Sequence, residues 1–285
     1  MSNLIMVVGA GTMGYGIAQT CAIAGYDVLM ASRRESSLEK GLFNIRKDFD
    51  WLCSQGRITQ QQAGQAMRRI SVSTDLEQGQ QAAFVLETIT EDLAAKQELL
   101  KRLDSICPPE TIFASDTSTL SISALGGATN RPDRVIGMHF FTPVPVQKLV
   151  EVIRSVDTSD ETFNATNELA GYLKKTVVQA PDTPGFLVNR VAAHTWNEAL
   201  QLVREGVDPR DIDNAMKLGT NAQLGPIELI DMCGADTMLH VIECLYDGYK
   251  DPKFRPNPLL KKMVEAGKLG RKTGCGFYNY EETDV

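Results

Sequence analysis

Residues 4–18 constrain the fold more than any other stretch. An apolar run, Leu4-Ile5-Met6-Val7-Val8, breaks into Gly9-Ala10-Gly11-Thr12-Met13-Gly14 and continues as small residues at helical spacing through Ala18, which reads as strand, turn, helix. Gly9 permits the sharp turn, Gly11 lets the backbone approach a pyrophosphate, and Gly14 lets the helix pack closely on the strand. Thr12 and Met13 open the helix, whose N-terminal N–H groups and dipole face the anion. The helix stops at Gly25, and a second apolar run, Val28-Leu29-Met30-Ala31, follows. That context makes the motif a dinucleotide site rather than an ordinary glycine turn.

A chain of 285 residues with 43% hydrophobic content is long enough for one large and one smaller domain. No apolar run approaches the ~20 residues that span a bilayer, and the first residues read as a strand rather than a signal segment. The net charge of −7 disfavours nucleic acid and anionic membrane as partners. The six cysteines are scattered, without CxxC or a nearby His at ligand spacing, so we expect reduced thiols, no metal and a cytoplasmic location.

From residue 1 to about 180, apolar runs at Leu4–Val8, Val28–Ser32, Phe84–Thr88, Ile112–Ser115, Val135–Phe140, Leu149–Ile153 and Thr176–Gln179 alternate with helical patterns. The fold class that follows is α/β, a Rossmann-type, mostly parallel sheet. Residues 36–67 read as a polar helical hairpin turning near Gly56, either a solvated insertion or an arm carrying Lys40, Arg46 and Lys47 to an anionic substrate tail. Composition changes at Ala180-Pro181-Asp182-Thr183-Pro184-Gly185, with Thr183 placed to cap the next helix. We therefore expect a dinucleotide-binding domain over 1–183 and an all-helical domain over 184–285. Phe186–Val203 and Ile227–Leu245 read as helices apolar on nearly every face, which predicts a homodimer through this C-terminal domain. Asp208 and Pro209 open a further helix, and the glycine-rich stretch 270–278 closes the chain's recognisable motifs.

His139 is one of only three histidines and lies at the end of a strand, where ligands sit in open α/β sheets. Glu151 follows in the next strand run, flanked by apolar residues that would bury its carboxylate. Paired, the carboxylate orients the imidazole and stabilises its charged form, giving a base able to take a hydroxyl proton as hydride leaves the same carbon. The alternative is a core His and an edge-strand Glu that never meet. Ser118 reads as a donor to a substrate oxygen or as a helix cap, and Asn189 as a second such donor or as a core amide.

Six spaced motifs resemble one family: Gly-Ala-Gly-Thr-Met-Gly-Tyr-Gly-Ile-Ala (9–18), His-Phe-Phe-Thr-Pro-Val-Pro-Val-Gln-Lys-Leu-Val-Glu-Val (139–152), Thr-Pro-Gly-Phe-Leu-Val-Asn-Arg (183–190), Asp-Ile-Asp-Asn-Ala-Met-Lys-Leu-Gly (211–219), Leu-Gly-Pro-Ile-Glu-Leu (224–229) and Gly-Arg-Lys-Thr-Gly-Cys-Gly-Phe-Tyr (270–278). The chain resembles the L-3-hydroxyacyl-CoA dehydrogenases, above all the bacterial 3-hydroxybutyryl-CoA dehydrogenases, over its whole length. The resemblance implies interconversion of a short-chain (S)-3-hydroxyacyl-CoA and its 3-oxoacyl-CoA. It implies His139 as catalytic base with Glu151 as its partner, Ser118 and Asn189 on the substrate oxygens, and Glu91, Lys96 and Lys272 along the cofactor. It also implies dimerisation through the helical domain and a hairpin that covers the CoA.

Three positions depart from the family pattern. An acidic residue usual at the end of the second strand is replaced by Ser32, followed by Arg33 and Arg34; Asp116 stands in Ser-Asn-Thr-Ser, and Thr142 in His-Phe-Phe-Asn-Pro. Ser32 removes a group that would repel a 2′-phosphate, and Arg33 or Arg34 supplies one that binds it, so the expected cofactor is NADP in preference to NAD. Asp116 adds a negative charge near the nicotinamide end, and Thr142 shortens a side chain that reaches the cofactor in the family. Two rival readings remain: a dehydrogenase of a free 3-hydroxy acid of the sugar-acid or carnitine type, and a non-catalytic dinucleotide-binding protein.

Overall fold

The computed structural model describes residues 3–280, which form two compact units, the first ending at Asp182 and the second beginning at Thr183. In the first, β1 (Leu4–Val8), α1 (Thr12–Ile23), β2 (Asp27–Ala31), α2 (Glu35–Ser54), α3 (Gln60–Arg68), β3 (Ile70–Ser73), β4 (Phe84–Glu87), α4 (Leu93–Ile106) and β5 (Ile112–Ser115) alternate along the chain. They are followed by α5 (Ile122–Gly126), β6 (Val135–Phe140), β7 (Leu149–Arg154), α6 (Asp160–Tyr172) and β8 (Thr176–Pro181). The eight strands form one sheet in the order β3-β2-β1-β4-β5-β6-β7-β8. Every neighbouring pair is parallel except β6 and β7, so the sheet is mostly parallel, as the alternating pattern predicts.

The central strands are apolar runs because helices cover both faces of the sheet. Ile5, Val7, Val28, Met30, Leu86, Ala114, Ile136 and Met138 lie in one core with Ile17, Ala18 and Cys21 of α1. Strand order reverses at β1, whose neighbours are β2 and β4, and such a switch point opens a crevice beyond the strand ends. The hairpin α2–α3 turns at Gly56, whose φ of +65° suits glycine, and Thr59 with Gln62 forms a capping box that starts α3.

One strand escapes the sequence reading. β3 is a short edge strand, Ile-Ser-Val-Ser, with an exposed centre, so it lacks the apolar run that marks its neighbours. Ser32 falls just past β2, its N–H donating to the Ser73 carbonyl at 3.2 Å.

The second unit comprises α7 (Val188–Arg204), α8 (Pro209–Thr220), α9 (Pro226–Cys233), α10 (Ala235–Tyr249) and α11 (Pro258–Glu265). Pro209 and Pro226 each occupy the first turn of their helix, and Asp208 caps α8. Three expectations are corrected. The helix predicted over Phe186–Val203 is amphipathic rather than apolar all round: α7 buries Ala193, Trp196, Ala199 and Leu200, while Val191 is 70% exposed. The run Ile227–Leu245 is two helices, broken at Gly234 with φ +101°. Thr183 also does not cap α7, whose N-cap is Leu187 with no side-chain cap; instead its carbonyl accepts the Phe186 N–H.

The glycine-rich stretch 270–278 wraps a buried acid. Asp231 accepts the N–H groups of Phe277 and Tyr278 at 3.0 and 2.9 Å, and a Cβ at Gly270 or Gly276 would collide with it. The nearby buried Asp213 accepts the N–H groups of Ile227 and Glu228 at the start of α9, at 2.8 and 2.9 Å, and the Tyr278 hydroxyl at 2.5 Å.

Candidate active site

Beyond the ends of β1, β2 and β4 lies a cleft of about 590 Å³. Gly9, Gly11, Thr12, Ser32 and Arg33 line it, as do Arg34, Lys40, Asn44, Thr88 and Arg102. The three glycines of the motif do different things. Gly9 has φ +121° and, with Gly14, sits so close to its surroundings that a Cβ on either would strike Thr88, or for Gly14 the Gly9 carbonyl. A Cβ on Gly11 would meet nothing within 4 Å, so Gly11 opens onto the cleft. Gly11 is the N-cap of α1 without a side-chain cap, and the first turn carries no acidic residue. Unsatisfied N–H groups and a positive dipole end thus face a space that a pyrophosphate can enter, and the residues fit a dinucleotide. Met13 and Gly14 lie in the first turn of α1 but do not line the cleft. Lys40, grouped by charge with Arg46 and Lys47 on the arm, turns to the cleft; Arg46 and Lys47 are exposed elsewhere on α2.

His139 and Glu151 are direct partners in the antiparallel register of β6 and β7. Both are buried, and Nδ1 of His139 lies 2.7 Å from Oε2 of Glu151. The alternative in which the two never meet is excluded. The Phe141 ring packs on the imidazole at a centroid distance of 4.5 Å. After the strand, Lys175 donates to the carbonyls of Val144 and Gln147 and pins the loop that joins β6 to β7. Its burial lowers the ammonium pKa to about 8.

The loop after β5 rests on a buried charge cluster that sequence reading finds only in part. Lys96, 1% exposed, donates to both carboxylate oxygens of Glu87 at 2.7 and 2.9 Å, and lies 3.6 Å from Glu91. Glu91 accepts the Thr117 and Thr119 hydroxyls and the N–H groups of Ser118 and Thr119 at 2.6–3.0 Å. Burial alone would raise the Glu91 carboxyl, but the Lys96 charge and these hydrogen bonds hold it below the usual carboxylate range. Glu91 therefore ties down the loop after β5, and Lys96 holds the Glu87 and Glu91 carboxylates together. Glu87 was missed; an acid ending the apolar run Phe84-Val85-Leu86 was its only signal.

Asp116 lies just past the end of β5, beside this cluster, and its Oδ1 accepts the Phe140 N–H at 2.8 Å. Burial pushes its carboxyl well above the usual range, with Glu87 and Glu91 adding to the effect and Lys96 and the Phe140 N–H opposing it. Ser118 sits partly buried in this loop, and the cap of α5 is Ser121, not Ser118. Thr142 is exposed just past β6. In the second unit, Asn189 is partly buried in the first turn of α7, and Lys272 is ion-paired with Asp236 at 2.5 Å.

Comparison with known proteins agrees with this arrangement. Residues 4–183 match the family model of the 3-hydroxyacyl-CoA dehydrogenase NAD binding domain, and residues 185–280 that of the 3-hydroxyacyl-CoA dehydrogenase C-terminal domain. A probable 3-hydroxybutyryl-CoA dehydrogenase of Bacillus subtilis (strain 168) is 50% identical over 279 residues, covering 98% of this chain and 97% of that protein. The 3-hydroxybutyryl-CoA dehydrogenase of Clostridioides difficile is 41% identical, covering 98% and 99%. The crystal structure of (S)-3-hydroxybutyryl-CoA dehydrogenase from Ralstonia eutropha superposes with a TM-score of 0.92 at 43% identity, covering 99% of this chain and 100% of that one. With both halves matched and likeness running end to end, the chain belongs to the 3-hydroxyacyl-CoA dehydrogenase family of NAD-binding oxidoreductases.

Proposed function

We propose that the protein interconverts a short-chain (S)-3-hydroxyacyl-CoA, such as 3-hydroxybutyryl-CoA, and its 3-oxoacyl-CoA. The observation that carries this reading is the buried His139–Glu151 pair, at 2.7 Å, at the carboxyl end of a strand in a sheet with a dinucleotide cleft. The nicotinamide cofactor supplies the hydride acceptor. In the oxidative direction His139 takes the hydroxyl proton as the carbon's hydrogen departs as hydride, leaving a C=O bond. Glu151 fixes the ring through Nδ1 and balances the charge that the imidazole acquires. Ser118 and Asn189 hold the substrate oxygens, Lys272 and Thr142 lie along the cofactor, and Arg46 and Lys47 on the α2–α3 arm meet the CoA phosphates.

NADP is the proposed cofactor. Ser32 follows β2 without a carboxylate, and Arg33, Arg34, Lys40 and Asn44 line the cleft with it, a setting that favours a 2′-phosphate. The working form is a homodimer joined through the second unit. Among the described residues no helix is long and apolar enough to cross a membrane. The six cysteines are free thiols, which is in keeping with the reducing, cytoplasmic location proposed here.

The test is dinucleotide oxidation across acetoacetyl-CoA, longer 3-oxoacyl-CoAs and free 3-oxo acids. Acetoacetyl-CoA should give the highest kcat/KM. Faster turnover of a free acid would move the assignment to a dehydrogenase of unesterified hydroxy acids, and no turnover of any would leave a binding protein.

A further inference from the structure

The β5–β6 ladder ends at the rung Ser115↔Gly137, yet β6 runs on for three more residues to its end, His139 and Phe140 among them. Asp116 continues the ladder with its side chain. Its own N–H donates to the Glu87 carbonyl at 2.9 Å, in line with the β4–β5 pairing, and its Oδ1 accepts the Phe140 N–H at 2.8 Å. The backbone beside His139 is thus fixed from the β5 side by Asp116, while the His139 ring is fixed from the β7 side by Glu151.

The ionisable groups bearing on Asp116 are Glu87 at the end of β4, Glu91 in the next turn and Lys96 on α4. Lys96 is the single ammonium of the cluster, and it already serves Glu87 and Glu91. A third carboxylate would leave the cluster two negative charges in excess, out of contact with a cation of its own.

We propose that Asp116 acts as a neutral carboxylic acid, accepting the Phe140 N–H through its carbonyl oxygen and thereby positioning His139. In that form it is the chemical counterpart of an asparagine. The inference rests on His139 being the base. Burial among Glu87 and Glu91 favours the proton on Asp116, and loss of that proton above its raised pKa places an uncompensated charge next to the His139 strand.

Two variants and two readouts test this. The first readout is the thermal midpoint of the protein alone, which needs no substrate and so stands apart from the proposed reaction. An acid whose folded pKa is raised keeps its proton in the folded state while the unfolded state gives it up. Wild-type stability therefore falls with rising pH from about 4 up to the folded pKa. Asp116→Asn removes that loss, so its midpoint should climb relative to wild type by about 3 °C per pH unit across this window and then level off. A midpoint that instead sinks below wild type as pH rises would show an ionised, stabilising Asp116 and overturn the proposal. The second readout is turnover: Asp116→Asn should keep wild-type kcat at pH values where Asp116 is protonated and lack the decline that wild type shows once Asp116 ionises, whereas Asp116→Ala should lose about tenfold in kcat with KM for the dinucleotide little changed. An Asp116→Asn enzyme inactive at every pH, or an Asp116→Ala enzyme with full kcat, contradicts the positioning role.

Discussion

At the scale of single residues, two pairs set the chemistry. His139 and Glu151, twelve positions apart, face each other because the turn through Pro143 and Pro145 returns the chain antiparallel in that register. Replacing Glu151 by Gln keeps the side chain's shape and removes its charge. A charge-assisted hydrogen bond is worth about 1.5–3 kcal/mol, so oxidation of the hydroxyacyl substrate should slow by roughly 10- to 100-fold in kcat. A Glu151→Gln enzyme with wild-type kcat would mean the carboxylate does not support the imidazole's charge. The second pair is Ser32 and Arg33 at the rim of the cleft. We expect kcat/KM for NADPH to exceed that for NADH, and the preference to collapse in Ser32→Asp/Arg33→Ile, since an arginine contact to phosphate is worth about 10- to 100-fold. A tenfold preference for NADH in the parent enzyme would show that neither Arg33 nor Arg34 reaches a phosphate.

At the scale of elements, the strand, turn and helix of residues 4–23 separate fold from function. Gly14 is needed by the fold, because a Cβ there would collide with the Gly9 carbonyl, whereas Gly11 faces open space. Gly11→Ala should keep the wild-type melting temperature and lose most of its dinucleotide affinity by calorimetric titration; Gly14→Ala should lose stability first, by about 2 kcal/mol or more. Equal stability loss in both would mean that Gly11 is structural. Six of the eight strands were legible as apolar runs largely buried on both faces and β8, though an exposed edge strand, through its Thr-Val-Val run, while β3, an exposed edge strand of alternating Ser, carries no such run. The His–Glu pair was legible from a strand end and a buried acid, but its register was not, since pairing depends on tertiary geometry. Lys96, Glu91 and Asp116 were legible singly, but Glu87 and the contacts that join them were not, because these residues come from separate elements that meet only in the folded sheet. The helical half was misread for a physical reason: Val, Ala and Leu dominate residues 186–203, but the polar residues among them fall on one face of α7. Gly234 then breaks the second run through its positive φ.

At the scale of the whole molecule, the proposed dimer through the second unit would cover apolar side chains that this unit exposes. Leu218 on α8 is 88% exposed and Val191 on α7 is 70% exposed. Burying such side chains is worth about 1.5–3 kcal/mol each, which favours a stable dimer. Light scattering at micromolar concentration should give twice the chain's mass, and Leu218→Glu with Val191→Glu should halve it; a monomeric parent protein would refute this assembly. The central claim is that one buried imidazole moves the proton for hydride transfer on a CoA thioester. It is tested most directly by turnover of His139→Gln with saturating acetoacetyl-CoA and reduced dinucleotide, with dinucleotide affinity measured alongside. The account predicts a loss of roughly 10²- to 10⁴-fold in kcat with dinucleotide affinity unchanged. A His139→Gln enzyme that turns over acetoacetyl-CoA at close to the wild-type rate would contradict it.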